Sequence, residues 1–354
     1  MNGQQMKETS MKSTTPGGSM KVIARVKFGG PEELLITDMP APEPKPGHVL
    51  IEVKAFGLNH AELHMRRGDW PEAADVSGIE CAGIVRSDPS GKLPPGQKVV
   101  ALMGGMGRTI SGSYAELTNV PATNVARVET KLTWELLAAL PESYATAWSC
   151  LHGNLGLRPG QTIVVRGATS ALGQALVNIA NEADAHVVAT SRSQERFAML
   201  ATLGARRTLV EGPELSRRLR EHYPQGVDGV VDLVGTSTVL DSLLSVRRSG
   251  RVCLAGGLGG FEPLVAFNPV FQMPCQAHLS IFASFMFGAP AFPLADVPLQ
   301  TIVEKAEAGL YKARPARVFA FEDIQEAHRL MESNKAEGKV VVLGPAASPL
   351  VPLG

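Results

Sequence analysis

The chain has no excess of charge of either sign: 34 lysines and arginines stand against 34 aspartates and glutamates among 354 residues. Nothing electrostatic favours nucleic acid or an anionic membrane as a partner. No apolar run approaches the roughly 18 residues needed to span a bilayer. The first 19 residues are polar and lack the apolar core of a signal peptide, and Met6, Met11 and Met20 offer alternative starts; residues 1–19 are expected to be a disordered tail. Cysteine is sparse. Cys81, Cys150, Cys253 and Cys275 are scattered with no C-x-x-C pair, which excludes a disulfide framework and points to reduced, buried thiols in a cytoplasmic protein. Internal repeats are absent as well.

What is present is an ordinary globular composition, 44% hydrophobic and 19% charged, in a chain long enough for two domains. The stretch 20–128 is strand-rich, with Val22–Val26 and Val49–Val53 showing β character and Pro/Gly clusters at 40–47 and 94–96 marking turns. From about 133 to 290, helical patterns alternate with short apolar strands at 161–166, 186–191, 228–234, 250–255 and 279–285. That alternation predicts right-handed βαβ units and a doubly wound parallel sheet. Helices at 298–309 and 322–333 and a strand at 338–343 close the chain. The simplest partition is a β-rich domain built from both chain ends and interrupted by a nucleotide-binding domain.

The strand 161–166 runs through the small-residue turn Gly167-Ala-Thr-Ser-Ala-Leu-Gly173 into a helix whose apolar stripe falls at 172, 176, 179, 180 and 183. A strand entering a helix N-terminus this way aims backbone N–H groups and a positive dipole end at phosphate. Thr169, Ser170, Ala171 and Leu172 are the expected pyrophosphate contacts, and Ala171 approaches less closely than glycine would. The next strand ends on Ser191, Arg192 and Ser193, with Arg196 one turn later. An acidic residue there would select a ribose 2′-hydroxyl; hydroxyls and guanidinium groups instead favour a 2′-phosphate, hence NADPH. Val234 and Gly256, at the ends of later strands, are expected to line the same crevice.

The runs Gly57-Leu-Asn-His-Ala-Glu62, Gly78-Ile-Glu-Cys-Ala-Gly83, Gly112-Ser-Tyr-Ala-Glu116, Leu140-Pro141 through Thr146-Ala-Trp148, the turn at 167–173 and Gly338-Lys-Val-Val-Val-Leu343 occur in an order that covers nearly all of 20–344. In this series the chain resembles the zinc-independent quinone oxidoreductase (zeta-crystallin-like) group of the medium-chain dehydrogenases/reductases. The resemblance implies an α/β fold: a Rossmann doubly wound parallel sheet domain over 143–290, plus a β-rich GroES-like catalytic domain from 20–142 and 291–346. Zinc alcohol dehydrogenases carry Cys and His ligands where this chain has Asn59 and Ile79, neither of which can serve; no metal is expected. The resemblance places Asn59 beside the nicotinamide, where its amide would donate to a developing oxyanion. It places His64 and Trp70 near the substrate, His64 as a proton source and Trp70 as a pocket wall. Thr146, Phe282, Ser284 and Lys339 fall at positions expected to contact the cofactor. Many such reductases carry Tyr where this chain has Glu211, an acid that would repel a 2′-phosphate unless it points elsewhere.

The expected activity is NADPH-dependent hydride transfer to quinones or other α,β-unsaturated carbonyl compounds. An enoyl thioester reductase, acting on acyl-CoA or a carrier-bound chain, is the alternative, and an NADPH-binding regulator without turnover is a third. The apolar stretch 279–285 at a sheet edge predicts pairing across a two-fold axis, and so a homodimer.

Overall fold

The computed structural model describes residues 18–345. The tail expected over 1–19 therefore lies outside the described residues up to position 17, and Ser19 already opens a strand.

Six parallel strands make one sheet: β1 (Thr162–Arg166), β2 (His186–Ser191), β3 (Arg207–Val210), β4 (Val227–Asp232), β5 (Val246–Leu254) and β6 (His278–Ile281). Their spatial order is 3-2-1-4-5-6, so the winding direction reverses between β1 and β4. The central strands are fully buried Val/Ile/Ala runs, the composition of a parallel sheet covered on both faces. The helix Ala171–Glu182 lays Ala175, Leu176, Ile179 and Ala180 into one of the two cores beside the sheet. The helices Leu215–His222 and Val239–Ser245 bury Leu215, Leu219, Val239 and Leu243 in the other.

A second sheet of seven strands uses both chain ends. Its path runs Arg317–Phe319, Val340–Leu343, His48–Leu58, Glu80–Ser87, Lys98–Leu102 and Val125–Arg127, with Leu117–Pro121 also pairing His48–Leu58. The antiparallel register sets Val340 opposite Leu58 and Val341 opposite Gly57. The chain's two distant segments thus meet just before Asn59.

Two expected strands differ from those observed. The run 279–285 forms a strand only to Ile281: Phe282 turns inward, 6% exposed, and Ser284–Met286 closes as a 3-10 turn. β5 begins at Val246, earlier than 250, through a polar segment in which Ser249 adopts φ +60°. The edge strands Arg207–Val210 and Arg317–Phe319 were not expected. Neither carries a continuous apolar run, because an edge strand is covered on fewer sides.

Candidate functional site

The reversal between β1 and β4 marks the crevice at the carboxyl ends of the strands, where such sheets bind ligands. β1 ends at Arg166, and Gly167 follows at φ +76°, a conformation glycine takes without strain. Ser170 caps the following helix, accepting the Gly173 N–H at 3.1 Å and donating to the Gly167 carbonyl at 2.9 Å. A Cβ on Gly173 would stand 2.6 Å from Ala168 Cα, so the close seating of helix on strand depends on that glycine. Ala171 and Leu172 occupy the first helical turn, whose N–H groups have no intrahelical acceptor and face outward with the positive dipole end. The Ser170 hydroxyl, expected at phosphate, is already committed to the cap. At the end of β4 the buried Asp232 carboxylate accepts the N–H groups of Val234 (2.9 Å) and Gly235 (3.1 Å) and the hydroxyl of Ser242 (2.6 Å), which fixes the loop holding Val234. Gly256 packs on that loop; a Cβ there would meet the Leu233 carbonyl at 2.6 Å.

At the far end of the crevice the Ser191 hydroxyl is engaged with Ser193, donating to its carbonyl at 2.9 Å and accepting its N–H at 3.2 Å. Arg192 is exposed. Arg196 forms an ion pair with Glu337, which arrives from the other domain just before the closing strand. Glu211 turns toward the sheet instead: its carboxylate accepts from Thr190 Oγ1 at 2.6 Å and from Arg166 Nε at 3.2 Å. The buried Arg166 guanidinium also donates to Asp241 at 3.0 Å. Glu211 thus points away from the crevice end, and the arginine closing an otherwise apolar strand is what receives it.

The chemical end is built from three chain segments. Asn59 ends the long strand and begins the helix His60–Arg67, whose entry is fixed by Glu62: its carboxylate accepts the N–H of Asn59 at 2.9 Å and of Ile79 at 3.1 Å. Lys339, 5% exposed, donates to Asn59 Oδ1 at 2.6 Å and pairs with the fully buried Glu80. Asn59 Nδ2 donates to Glu80 Oε1 at 2.9 Å, and Glu80 Oε2 accepts the Glu142 N–H at 2.8 Å. Thr146 Oγ1 donates to the Glu142 carboxyl at 3.2 Å. Burial pushes the Glu62 carboxyl up to about 7. Burial also raises Glu142, against the opposing pull of Lys339. Lys339, expected at the cofactor, thus spends its ammonium on Asn59 and Glu80. Glu80 and Glu142 were missed as site residues, although an acid inside the apolar run Gly78-Ile-Glu-Cys-Ala-Gly83 was a signal.

His64 and Trp70 do come together. Their rings stack with centroids 5.4 Å apart and planes 14° from parallel, Phe261 meets His64 edge-on at 5.4 Å, and Asp69 holds His64 Nδ1 at 3.0 Å. Phe261 belongs to the loop after β5, so this contact joins the two domains. Arg108 over the Phe285 ring at 5.0 Å joins them a second time. The Phe282 ring packs on Phe287 and Phe292 at 5.4 and 6.2 Å and is part of the core. Among the described residues no three His, Cys, Asp or Glu side chains converge on a metal position. Ile79 is buried in the apolar core and the Asn59 oxygen faces an ammonium, a donor set that does not fit zinc.

Comparison with known proteins agrees with this architecture. Residues 45–130 match the alcohol dehydrogenase GroES-like domain and residues 171–297 the zinc-binding dehydrogenase family. A quinone oxidoreductase of Lama guanicoe is 26% identical over 335 residues, covering 92% of this chain and 97% of that protein. The solved structure of an NAD-dependent alcohol dehydrogenase superposes with TM-score 0.78 at 28% identity, over 92% of this chain and 99% of that one. A mycobacterial protein solved in complex with NADPH superposes with TM-score 0.80 at 25% identity, over the same shares. With a Rossmann-type sheet inserted into a GroES-like domain, the chain belongs to the medium-chain dehydrogenase/reductase family of oxidoreductases.

Proposed function

We propose that this chain reduces quinones or other α,β-unsaturated carbonyl compounds with NADPH, without a metal. The observation that carries the reading is the Asn59 carboxamide, held between Lys339 and Glu80 where a zinc dehydrogenase needs a ligand. The nicotinamide, when bound, supplies the hydride. The chain's own residues hold the cofactor, orient the acceptor and exclude water. The turn 167–173 and the N-terminal end of the helix Ala171–Glu182 present N–H groups to a pyrophosphate. Arg192 and Arg196 offer guanidinium groups to a 2′-phosphate once Glu337 yields its partner. The remaining N–H of Asn59 Nδ2 donates to the oxygen on which negative charge collects. His64, stacked on Trp70 and bonded to Asp69, stands at the domain contact as the candidate proton source, and the two flat rings suit a planar acceptor. The similarity to a quinone oxidoreductase supports this acceptor class, and the neighbour solved with NADPH supports the cofactor.

The same proposal includes a homodimer, in which the edge strand β6 pairs across a two-fold axis and covers Ile281, 71% exposed in the single chain. A reducing, cytoplasmic setting suits the four free cysteines, three of them buried. The test is steady-state oxidation of NADPH and NADH with a panel of quinones, enones and enoyl thioesters. Turnover with free quinones or enones and a preference for NADPH are expected, with kcat falling about 10²–10³-fold in Asn59→Ala. Turnover confined to thioesters makes the chain an enoyl thioester reductase. No turnover with any acceptor, by protein that binds NADPH, refutes the reading.

A further inference from the structure

Lys339 lies at the start of the closing strand, 280 residues from Asn59 in the chain but beside it in the sheet. The register explains why: Val340 faces Leu58 on the antiparallel neighbour, so the residue before one meets the residue after the other. Glu80 opens the strand on the opposite flank of His48–Leu58. Gly57 supplies the space between them. A Cβ at that position would collide with Lys339 Cε and come 2.5 Å from Glu80 Oε1.

The chemistry of the three groups fixes the amide. An ammonium only donates and an ionised carboxylate only accepts, so Oδ1 must face Lys339 and Nδ2 must face Glu80. A flipped amide would oppose donor to donor and acceptor to acceptor. The orientation also changes the amide's strength. A buried cation on the oxygen and a buried anion on one N–H both favour the charge-separated resonance form, which makes the remaining N–H a better donor. That second hydrogen has no partner within the triad.

We propose that Lys339 is a positioning residue: it acts through Asn59, setting with Glu80 the direction and donor strength of the amide that meets the reacting oxygen, and does not hold the dinucleotide. The inference rests on the reading of Asn59 as that donor. It assigns work to a lysine which the family resemblance places among the cofactor contacts, and it explains why a cation is buried beside the acids Glu62, Glu80 and Glu142. Lys339 is consumed by no step.

The experiment compares wild type, Lys339→Met, Asn59→Ala and the double variant. NADPH affinity is measured by fluorescence titration, and kcat and KM with para-benzoquinone and methyl vinyl ketone as acceptors. Lys339→Met is expected to lower kcat about 10–10²-fold while the NADPH Kd stays within about twofold. Adding Lys339→Met to Asn59→Ala is expected to cost less than about twofold more, because the lysine has nothing left to orient. A tenfold rise in NADPH Kd with kcat at saturation unchanged overturns the proposal and returns Lys339 to the cofactor. Multiplicative losses in the double variant also overturn it, since the two residues then act separately. Wild-type kcat in Asn59→Ala removes the underlying reading and the inference together, an outcome distinct from the other two. Should Lys339→Met fail to fold with Glu80 left unpaired, Glu80→Gln/Lys339→Met makes the same comparison with a neutral pair.

Discussion

Acid should loosen this protein at one identifiable histidine. His328, on the helix Ile324–Glu332, is fully buried between Arg66 Nη1 (3.1 Å from Nδ1) and Tyr114 Oη (2.9 Å from Nε2). Arg66 can only donate, so Nδ1 accepts and Nε2–H donates to the tyrosine: the ring is neutral. Burial first, then the Arg66 and Arg67 charges, push its pKa down to about 3, while Glu332, one turn along the same helix, pairs with both arginines. The unfolded chain takes up this proton near pH 6.5 and the folded chain only near 3, so stability is complete above 6.5 and is lost as pH falls toward 3. At about 1.4 kcal/mol per pH unit the loss is about 2 kcal/mol by pH 5 and about 5 kcal/mol in full, a large part of a typical domain's stability. Glu62 works in the opposite direction. Its folded pKa, about 7, exceeds the usual carboxylate value, so the folded state gains between pH 7 and about 4.5 on acidification. A wild-type melt therefore mixes the two, and the informative quantity is a difference. Denaturant unfolding of wild type and His328→Gln is measured at about pH 8 and about pH 5. Gln both donates and accepts, and the variant is expected to be about 1–3 kcal/mol less stable at pH 8. That gap should narrow by about 2 kcal/mol at pH 5, because only the wild type carries the penalty of the unprotonated ring. A gap that stays constant refutes the assignment of a neutral, proton-refusing His328.

Gly57→Ala tests how tightly the triad is packed. The added methyl must displace Lys339 or Glu80, so a stability loss of about 1–3 kcal/mol and a fall in kcat of about 10²-fold are expected, and a wild-type melting temperature with wild-type turnover would show that the space is not needed. Glu337→Gln frees Arg196 from its ion pair and should tighten NADPH about threefold to tenfold in a binding titration while leaving NADH unchanged; equal shifts for both dinucleotides would count against a 2′-phosphate at Arg196.

The parallel sheet was legible in the sequence because its central strands are continuous apolar runs bounded by glycine and its helices carry one clear stripe. Edges were less so. Arg207–Val210 is a strand through its pairing with β2, not through its own composition. The run 279–285 looked like a strand throughout because Phe282 and Phe285 are apolar, yet one ring turns to the core and the other meets Arg108. Asn59 falls in the short run Gly57–Glu62, and His64 and Trp70 were named through the family resemblance. The triad could not be named either way, since Lys339, Glu80 and Asn59 are brought together by strand register across most of the chain, and a lysine beside a glycine near the C-terminal end gives no local sign of what it faces. The same holds for Arg196, whose partner Glu337 stands 141 positions away.

The sheet that receives Val340–Leu343 has a consequence for how the molecule is made. All six parallel strands lie between 162 and 281 and are available before the closing strand is synthesised, whereas the mixed sheet cannot complete its ladder until residue 343 has left the ribosome. Through that interval Glu80 is buried without its cation, or the mixed sheet waits open. The nascent chain thus has its parallel sheet to hand first and completes its mixed sheet last, and Lys339 reaches Asn59 and Glu80 only in that second step.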